Sequence, residues 1–395
     1  MTVTSPQGFR ASGVAAGLKS SGKQDVALVV NEGPQHVAAA VLTSNRVHAA
    51  PVAWTRQAVK DGVARAVVLN SGGANACTGP EGFADTHHTA EHVAAALTGA
   101  GQETGAGDVL VCSTGLIGIR LPMENLRKGV DDAVAALAAD GGPDAALAIM
   151  TTDTVAKTTH VPGPGGAAWS VGGMAKGAGM LAPGLATMLC VLTTDASVDA
   201  GTADAALRAA TRTTFDRVDS DGCMSTNDTV ILLASGASGV SPTEAELAEA
   251  VRAACADLAR QLVADAEGAS HDIAITVRNA SSEDAAVAVA RAVSRSNLFK
   301  AAVFGNDPNW GRVLSAVGTV PEEVAPFDAL ALDVAINGVQ VCRAGGVGEP
   351  RELVDLASAR EVLVDIDLHA GDAEATIWTN DLTHDYVHEN SAYAS

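Results

Sequence analysis

The stretch Leu181-Ala-Pro-Gly-Leu-Ala-Thr-Met-Leu-Cys-Val-Leu192 is a proline-glycine turn that runs directly into an apolar strand. A threonine at the start of such a strand is usually a β-branched packing residue. Thr187 would act as a nucleophile only if a cut just before it freed its own α-amine to serve as the base. The residues of this stretch alone leave both interpretations open.

Working outward, apolar runs predict further strands at 26–30, 37–42, 66–69 and 108–112. Apolar residues at helical spacing predict an amphipathic helix over 123–137, and Ser241-Pro-Thr-Glu244 predicts the start of another, with Ser241 as its cap and Glu244 closing a capping box. Residues 328–336 run into Asn337-Gly338, a hairpin signal, and residues 364–368 alternate like a strand with one wet face. The pattern predicts an α/β protein with layered sheets and helices.

The charge of the chain is strongly acidic and unevenly distributed. A net charge of −21 argues against nucleic acid or an anionic membrane as a partner, because both require basic surfaces. Residues 1–186 carry 12 Lys or Arg and 14 Asp or Glu, whereas residues 187–395 carry 13 and 32. We find neither a secretory signal nor the roughly 18 apolar residues of a membrane span, so we expect a cytoplasmic protein.

The cysteines, histidines and acidic loops show no metal-binding spacing. The six cysteines stand singly, and we expect buried thiols in a reducing compartment. His87, His88 and His92 lack the glutamate of an HExxH helix, which favours a solvated helix face. The acidic loops at 219–222, 225–229 and 304–312 miss the EF-hand pattern, and we interpret them as turns.

Two glycine-containing segments are candidates for a site. Val111-Cys-Ser-Thr-Gly115 follows a strand, and a turn there exposes the N–H groups and hydroxyl of an oxyanion hole, although a plain strand-to-loop turn is the alternative. In Gly172-Gly-Met-Ala-Lys-Gly-Ala-Gly-Met180, Lys176 is followed by glycine, so the P-loop pattern fails. That segment either brings backbone and one cation close to a ligand or forms a flexible loop with a solvated lysine.

Several long motifs occur together in one order. They are Asn70-Ser-Gly-Gly-Ala-Asn75-Ala-Cys-Thr-Gly, Ser113-Thr-Gly, Met150-Thr-Thr-Asp, Lys176-Gly-Ala-Gly-Met-Leu-Ala-Pro-Gly-Leu-Ala-Thr187-Met-Leu, Ser225-Thr-Asn-Asp, Asp307-Pro-Asn-Trp-Gly-Arg312 and Glu389-Asn390-Ser-Ala-Tyr393. Through these motifs the chain resembles the glutamate/ornithine N-acetyltransferase family of arginine biosynthesis, along essentially its whole length.

The resemblance implies an α/β N-terminal-threonine acyltransferase that cleaves itself. Family members are cut within an Ala-Thr pair, here Ala186–Thr187: the Thr187 hydroxyl attacks the Ala186 carbonyl, and hydrolysis of the resulting ester frees the α-amine. Residues 1–186 would become an alpha chain and residues 187–395 a beta chain, forming two intertwined regions in a heterotetramer. The acidic excess noted above begins at this boundary.

The implied turnover is ping-pong. Thr187 takes acetyl from N-acetylornithine, ornithine leaves, and glutamate collects the acetyl group; some members also accept acetyl from acetyl-CoA, which adds N-acetylglutamate synthase activity. No metal or tightly held cofactor is implied. The matched oxyanion-hole pair is Thr114 and Gly115. The matched substrate-binding residues are Thr151, Lys176, Thr187, Glu267, Asn390 and Ser395, with Lys176 suited to an α-carboxylate and Glu267 to an amino group.

Two other functions fit parts of this sequence. A paralogous acyltransferase acting on other N-acetyl amino acids in specialised metabolism would carry the same motifs. A glycine-loop nucleotide-binding or scaffold protein would remain one intact chain without an acetylated threonine. We expect the arginine-pathway acetyltransferase.

Overall fold

The computed structural model describes residues 1–182 and 188–392, and this part of the chain forms a mixed α/β fold, as predicted. Its helices are α1 Ala50–Ala58, α2 Gly79–Gly99, α3 Met123–Ala135, α4 Gly142–Ala148, α5 Ala200–Thr213, α6 Glu244–Ala264, α7 Glu283–Ser294, α8 Asn297–Phe304, α9 Trp310–Val317 and α10 His384–Ala392. Its strands are β1 Phe9–Val14, β2 Val26–Asn31, β3 Val37–Leu42, β4 Ala66–Asn70, β5 Val109–Ser113, β6 Lys157–Pro162, β7 Ser170–Lys176, β8 Leu189–Thr194, β9 Thr229–Ala234, β10 Asp272–Ala280, β11 Asp333–Ile336, β12 Val339–Arg343, β13 Gly346–Val347, β14 Glu361–Asp367 and β15 Ala373–Asn380.

Two sheets stack face to face at the centre of the molecule. The first has the strand order β1-β2-β4-β5, and the second has the order β3-β9-β8-β7-β6. Side chains from both sheets meet in one core, to which the first sheet contributes Val29, Leu69 and Leu110 and the second contributes Met174, Val191 and Ile231. Burying each large aliphatic side chain contributes roughly 1.5–3 kcal/mol. Because helices cover the outer faces as well, β2, β4, β5, β7, β8 and β9 are buried throughout.

Helices form the two outer layers of this four-layer arrangement. Helices α2 and α3 pack on the first sheet, and α5 and α6 pack on the second. The apolar face predicted for α6 is buried, but the predicted cap is wrong: Thr243 caps the helix and Glu246 closes the capping box, rather than Ser241 and Glu244. Thr243 has the extended backbone of an N-cap, so the first helical residue is Glu244.

The second sheet combines strands from early and late parts of the chain. Strands β3, β6 and β7 precede residue 186, whereas β8 and β9 follow it. Leu42 pairs with Thr229 where β3 meets β9, and Lys176 pairs with Leu189 where β7 meets β8. The two segments on either side of residue 186 are therefore intertwined within one hydrogen-bonded sheet, as the resemblance implied.

A third sheet, in the order β13-β12-β11-β14-β10-β15, packs against α7, α8 and α9. The predicted hairpin joins β11 to β12, and Asn337 and Gly338 adopt φ of 47° and 81°, as a type I′ turn requires. The strand before it begins at Asp333 rather than at residue 328, because Asp328 closes a turn with Leu330 and Ala331. Strand β14 alternates as predicted.

The structure also shows where the histidines and cysteines considered in the sequence lie. His87 and His88 are exposed on α2, and no cluster of metal-ligating side chains occurs within residues 1–182 and 188–392. The prediction of buried thiols is wrong for Cys77 and Cys223, which lie in exposed turns, and correct for the other four cysteines, all of which are unpaired. No helix in the described part of the chain is long and apolar enough to cross a bilayer.

Candidate active site

A small cavity of about 80 Å³ lies where β5 and β7 end. Its wall contains six of the residues predicted from sequence, together with Thr152, Gly179 and Met180; the six are Thr114, Gly115, Thr151, Lys176, Glu267 and Asn390. Three further predicted residues, Ala186, Thr187 and Ser395, lie outside the described residues. The fold thus brings together side chains from positions that are up to 276 residues apart, from Thr114 to Asn390.

The turn after β5 has the geometry of a donor site. The Thr114 N–H donates to the Asn70 carbonyl at 2.9 Å, so this backbone donor is already used, whereas the Thr114 hydroxyl lines the cavity. Gly115 has a φ of 130°, and a Cβ there would lie 2.8 Å from the Gly73 nitrogen, so only glycine fits. Among residues 1–182 and 188–392, the Gly115 N–H has no hydrogen-bond partner. The available donors are therefore the Thr114 hydroxyl and the Gly115 N–H.

Lys176 is the last residue of β7, and its side chain is only 2% exposed. The interpretation of this segment as a flexible loop with a solvated lysine is wrong, because residues 170–176 form a buried strand. The Lys176 Nζ donates to Thr114 Oγ1 at 3.4 Å and lies 4.0 Å from an oxygen of Asp153. Burial lowers the pKa of Lys176, while the negative charge of Asp153 opposes that shift. Because the lysine donates to Thr114, the threonine proton remains free for another acceptor.

A buried ion-pair network supports this lysine, and its residues were not identified as site residues from sequence. Asp153 accepts hydrogen bonds from Lys157 Nζ and the Gly177 N–H, both at 2.7 Å, and from the Thr151 N–H at 2.9 Å. Burial raises the pKa of Asp153, but the charges of Lys176 and Lys157 outweigh it and hold the pKa at about 2. Asp153 stood in a recognised motif, Met150-Thr-Thr-Asp, which was its only signal in the sequence.

Glu267 and Asn390 form the opposite wall. The Glu267 N–H donates to the Ala178 carbonyl at 3.0 Å, which fixes this residue next to the glycine-rich segment. Asn390 Nδ2 donates to Glu267 Oε2 at 3.0 Å. A Cβ on Gly179 would lie 2.7 Å from the Glu267 carboxylate, so glycine makes room for this side chain. A cation and a carboxylate thus face one small cavity, which suits a ligand that carries both charges.

Hydroxyl, N–H and charged groups around one cavity at the ends of layered strands suit an enzyme of the acyl-transfer class. The chain belongs to the ArgJ family, whose sequence model matches residues 10–395. It is 64% identical to the arginine biosynthesis bifunctional protein ArgJ of Streptomyces avermitilis and 63% identical to that of Streptomyces coelicolor, over 100% of both chains in each case. The expectation of an acyltransferase of arginine biosynthesis, rather than a specialised-metabolism paralogue, is thereby confirmed.

Solved structures of relatives are also similar to this chain. A structure of ornithine acetyltransferase complexed with ornithine, from Mycobacterium tuberculosis, is 59% identical, with a TM-score of 0.45, and the match covers 48% of this chain and 96% of the solved one. The arginine biosynthesis bifunctional protein ArgJ of Bacillus halodurans is 35% identical, with a TM-score of 0.48, and the match covers 51% and 97% of the two chains.

Proposed function

We propose that this protein cleaves itself between Ala186 and Thr187 and then carries acetyl on Thr187 from N-acetylornithine to glutamate, in the cytoplasm. The observation that carries the proposal is the clustering of Thr114, Gly115 and the charged pair Lys176 and Glu267 around one cavity. The cavity lies at the end of β7, and the chain that follows leads within eleven residues to Thr187. The names of the relatives, bifunctional ArgJ proteins and an ornithine acetyltransferase, support the same function.

The proposed chemistry begins with the freed α-amine of Thr187, which takes the proton of the Thr187 hydroxyl as that hydroxyl attacks the acetyl carbonyl. The negative oxygen that forms accepts hydrogen bonds from the Thr114 hydroxyl and the Gly115 N–H. Collapse of the intermediate expels ornithine, which takes up the proton, and leaves acetyl-Thr187. Glutamate then attacks the ester and leaves as N-acetylglutamate. The same donors stabilise both tetrahedral intermediates.

Substrate orientation follows from charge. Lys176 would pair with the α-carboxylate of either amino acid, and Glu267, held by Asn390, would pair with the free amino group of ornithine. Thr151 and Ser395 complete the proposed substrate-binding set. We further propose a heterotetramer of two alpha and two beta chains, and acetyl-CoA as a second donor.

The intact mass of the denatured protein tests the cleavage. We expect two chains, one ending at Ala186 and one beginning at Thr187, and acetylation of the second chain after incubation with N-acetylornithine. A single chain of 395 residues, or a second chain that begins elsewhere, would refute the proposed nucleophile. Native mass measurement tests the heterotetramer, and a panel of N-acetyl amino acids tests whether ornithine is the preferred substrate.

A further inference from the structure

The start of β8 is held by a buried carboxylate next to the proposed cleavage site. Asp228 precedes β9 and has no exposed surface, and its Oδ1 accepts a hydrogen bond from the Met188 N–H at 3.0 Å. The Met188 nitrogen is covalently bonded to the carbonyl carbon of Thr187. It therefore lies three bonds from the Thr187 nitrogen and four from its hydroxyl oxygen, so Asp228 binds the residue that directly follows the proposed nucleophile.

The second oxygen of this carboxylate differs from the first in its hydrogen bonding. Among residues 1–182 and 188–392, Asp228 Oδ2 is buried without a hydrogen bond. Two hydroxyls lie near the carboxylate. The Thr43 hydroxyl donates to the Ser225 carbonyl at 2.8 Å, whereas Ser225 Oγ accepts from the Asn227 N–H at 3.1 Å and keeps its own proton. A buried polar atom without a partner costs about 1–3 kcal/mol, so its retention points to a role.

The surroundings of Asp228 make it a better proton acceptor than an ordinary aspartate. Burial raises its pKa well above the usual value, and the Met188 N–H, the neighbouring Ser225 hydroxyl and the charge of Lys176 only partly oppose this shift. A carboxylate with a raised pKa accepts a proton more readily near neutral pH. Asp228 is not among the residues that line the cavity, and the acetyl-transfer steps above do not use it.

We propose that Asp228 is the proton acceptor for the Thr187 hydroxyl during self-cleavage, an inference that rests on the function proposed above. The hydroxyl proton passes to Asp228 Oδ2 while the Thr187 oxygen bonds to the Ala186 carbonyl carbon. The bond between that carbon and the Thr187 nitrogen then breaks, and the nitrogen receives the same proton. One water hydrolyses the ester, which yields the Ala186 carboxylate and restores the hydroxyl. One carboxylate can take the proton from the hydroxyl and return it to the nitrogen, because both atoms belong to Thr187.

Two substitutions distinguish proton transfer from simple anchoring. Asp228→Asn keeps an oxygen that can accept the Met188 N–H but cannot take a proton, whereas Asp228→Ala removes both functions. We expect both variants to cleave roughly 10²–10⁴-fold more slowly than the unaltered protein, the usual contribution of general acid–base catalysis. Cleavage is followed in cell-free synthesis by the fraction of intact chain over time.

The matched control is Asp195→Asn at the other end of β8. Asp195 is also a buried carboxylate that accepts backbone hydrogen bonds, from the Ser170 and Gln7 N–H groups at 2.8 and 3.1 Å. It lies far along the strand from Met188, so we expect this variant to cleave at the unaltered rate.

The outcomes separate the alternatives. Rapid cleavage of Asp228→Asn together with slow cleavage of Asp228→Ala would identify an anchor and overturn the proposal. An uncut Asp228→Asn protein that melts far below the uncut Thr187→Ala precursor would also overturn it, because the loss would then be one of folding. If the unaltered protein is never cut at Ala186–Thr187, the proposed function itself fails. If the unaltered protein and Asp228→Asn are both cut at the normal rate, the proposed role of Asp228 is refuted and the proposed function stands.

Discussion

Replacing Asp153 by asparagine tests the buried ion-pair network most directly. Asp153 is paired with Lys157 and lies near Lys176, and its pKa of about 2 is nearly two units below the ordinary 3.8. At 1.36 kcal/mol per unit, its ionised form contributes about 2–3 kcal/mol. Removing one partner of a buried pair typically costs about 3–5 kcal/mol, because the other charges lose their compensation. We therefore expect Asp153→Asn to lose about 3 kcal/mol of unfolding free energy.

Thermal unfolding measures this loss. For 395 residues that unfold cooperatively, the unfolding entropy is about 0.8 kcal/mol/K, so 3 kcal/mol corresponds to about 4 °C. The control is Asp204→Asn, which breaks the half-exposed pair with Arg208 and should cost less than about 1 kcal/mol. Because the folded pKa of Asp153 is depressed, its contribution is complete above about pH 5 and is lost as the pH falls through 3.8 towards 2. Equal melting temperatures for the two variants at pH 7 would refute the reasoning.

Three further predictions concern the cavity. Thr114→Ala should lower kcat by up to roughly 10²–10³-fold with little change in KM, because an oxyanion donor acts in the transition state; steady-state kinetics would refute this if KM alone rose. Gly179→Ala should displace the Glu267 carboxylate, because that carboxylate would lie 2.7 Å from the new Cβ. We expect this variant to raise KM for N-acetylornithine more than it lowers kcat. An unchanged KM would exclude Glu267 as a substrate contact. With glutamate as acceptor, N-acetylornithine should have a higher kcat/KM than acetyl-CoA. The cavity pairs one cation with one carboxylate, and no basic cluster for phosphates is recognisable in the sequence. Equal values of kcat/KM would contradict a cavity built around amino acids.

Local patterns in the sequence predicted the central strands well because those strands are buried on both faces. Strands β2 and β4 extend one residue beyond the predicted end, β5 is shifted by one residue, and the bounds of β3 agree. The predicted cap of α6 was wrong because more than one residue in Ser241-Pro-Thr-Glu244 can cap a helix. Only the path of the chain decides between them, and Thr243 adopts the extended conformation that a cap requires.

The sequence alone could not predict that the glycine-rich segment forms a buried strand or that its lysine and Lys157 are buried. The residues that pack against them lie far away in the sequence. A Cβ on Gly172 would lie 2.3 Å from the carbonyl oxygen of Thr2, so this glycine allows the N-terminal segment to cross β7 closely. Lys157 is buried because Asp265 meets it at 2.6 Å, across 108 residues of sequence. The resemblance located the cavity residues, whereas their supporting charges became visible only in three dimensions.

The strand order of the second sheet has a consequence for synthesis of the protein on the ribosome. Strand β3 ends at Leu42, but the strand that pairs with it begins at Thr229. At about 5–20 residues per second, the open edge of β3 waits roughly 10–40 s for its partner to be made. Strand β7 likewise meets β8 only after the intervening chain has emerged. The nascent chain therefore carries an unpaired apolar strand edge for about half of its translation, and chaperones that shield such edges should increase its folding yield.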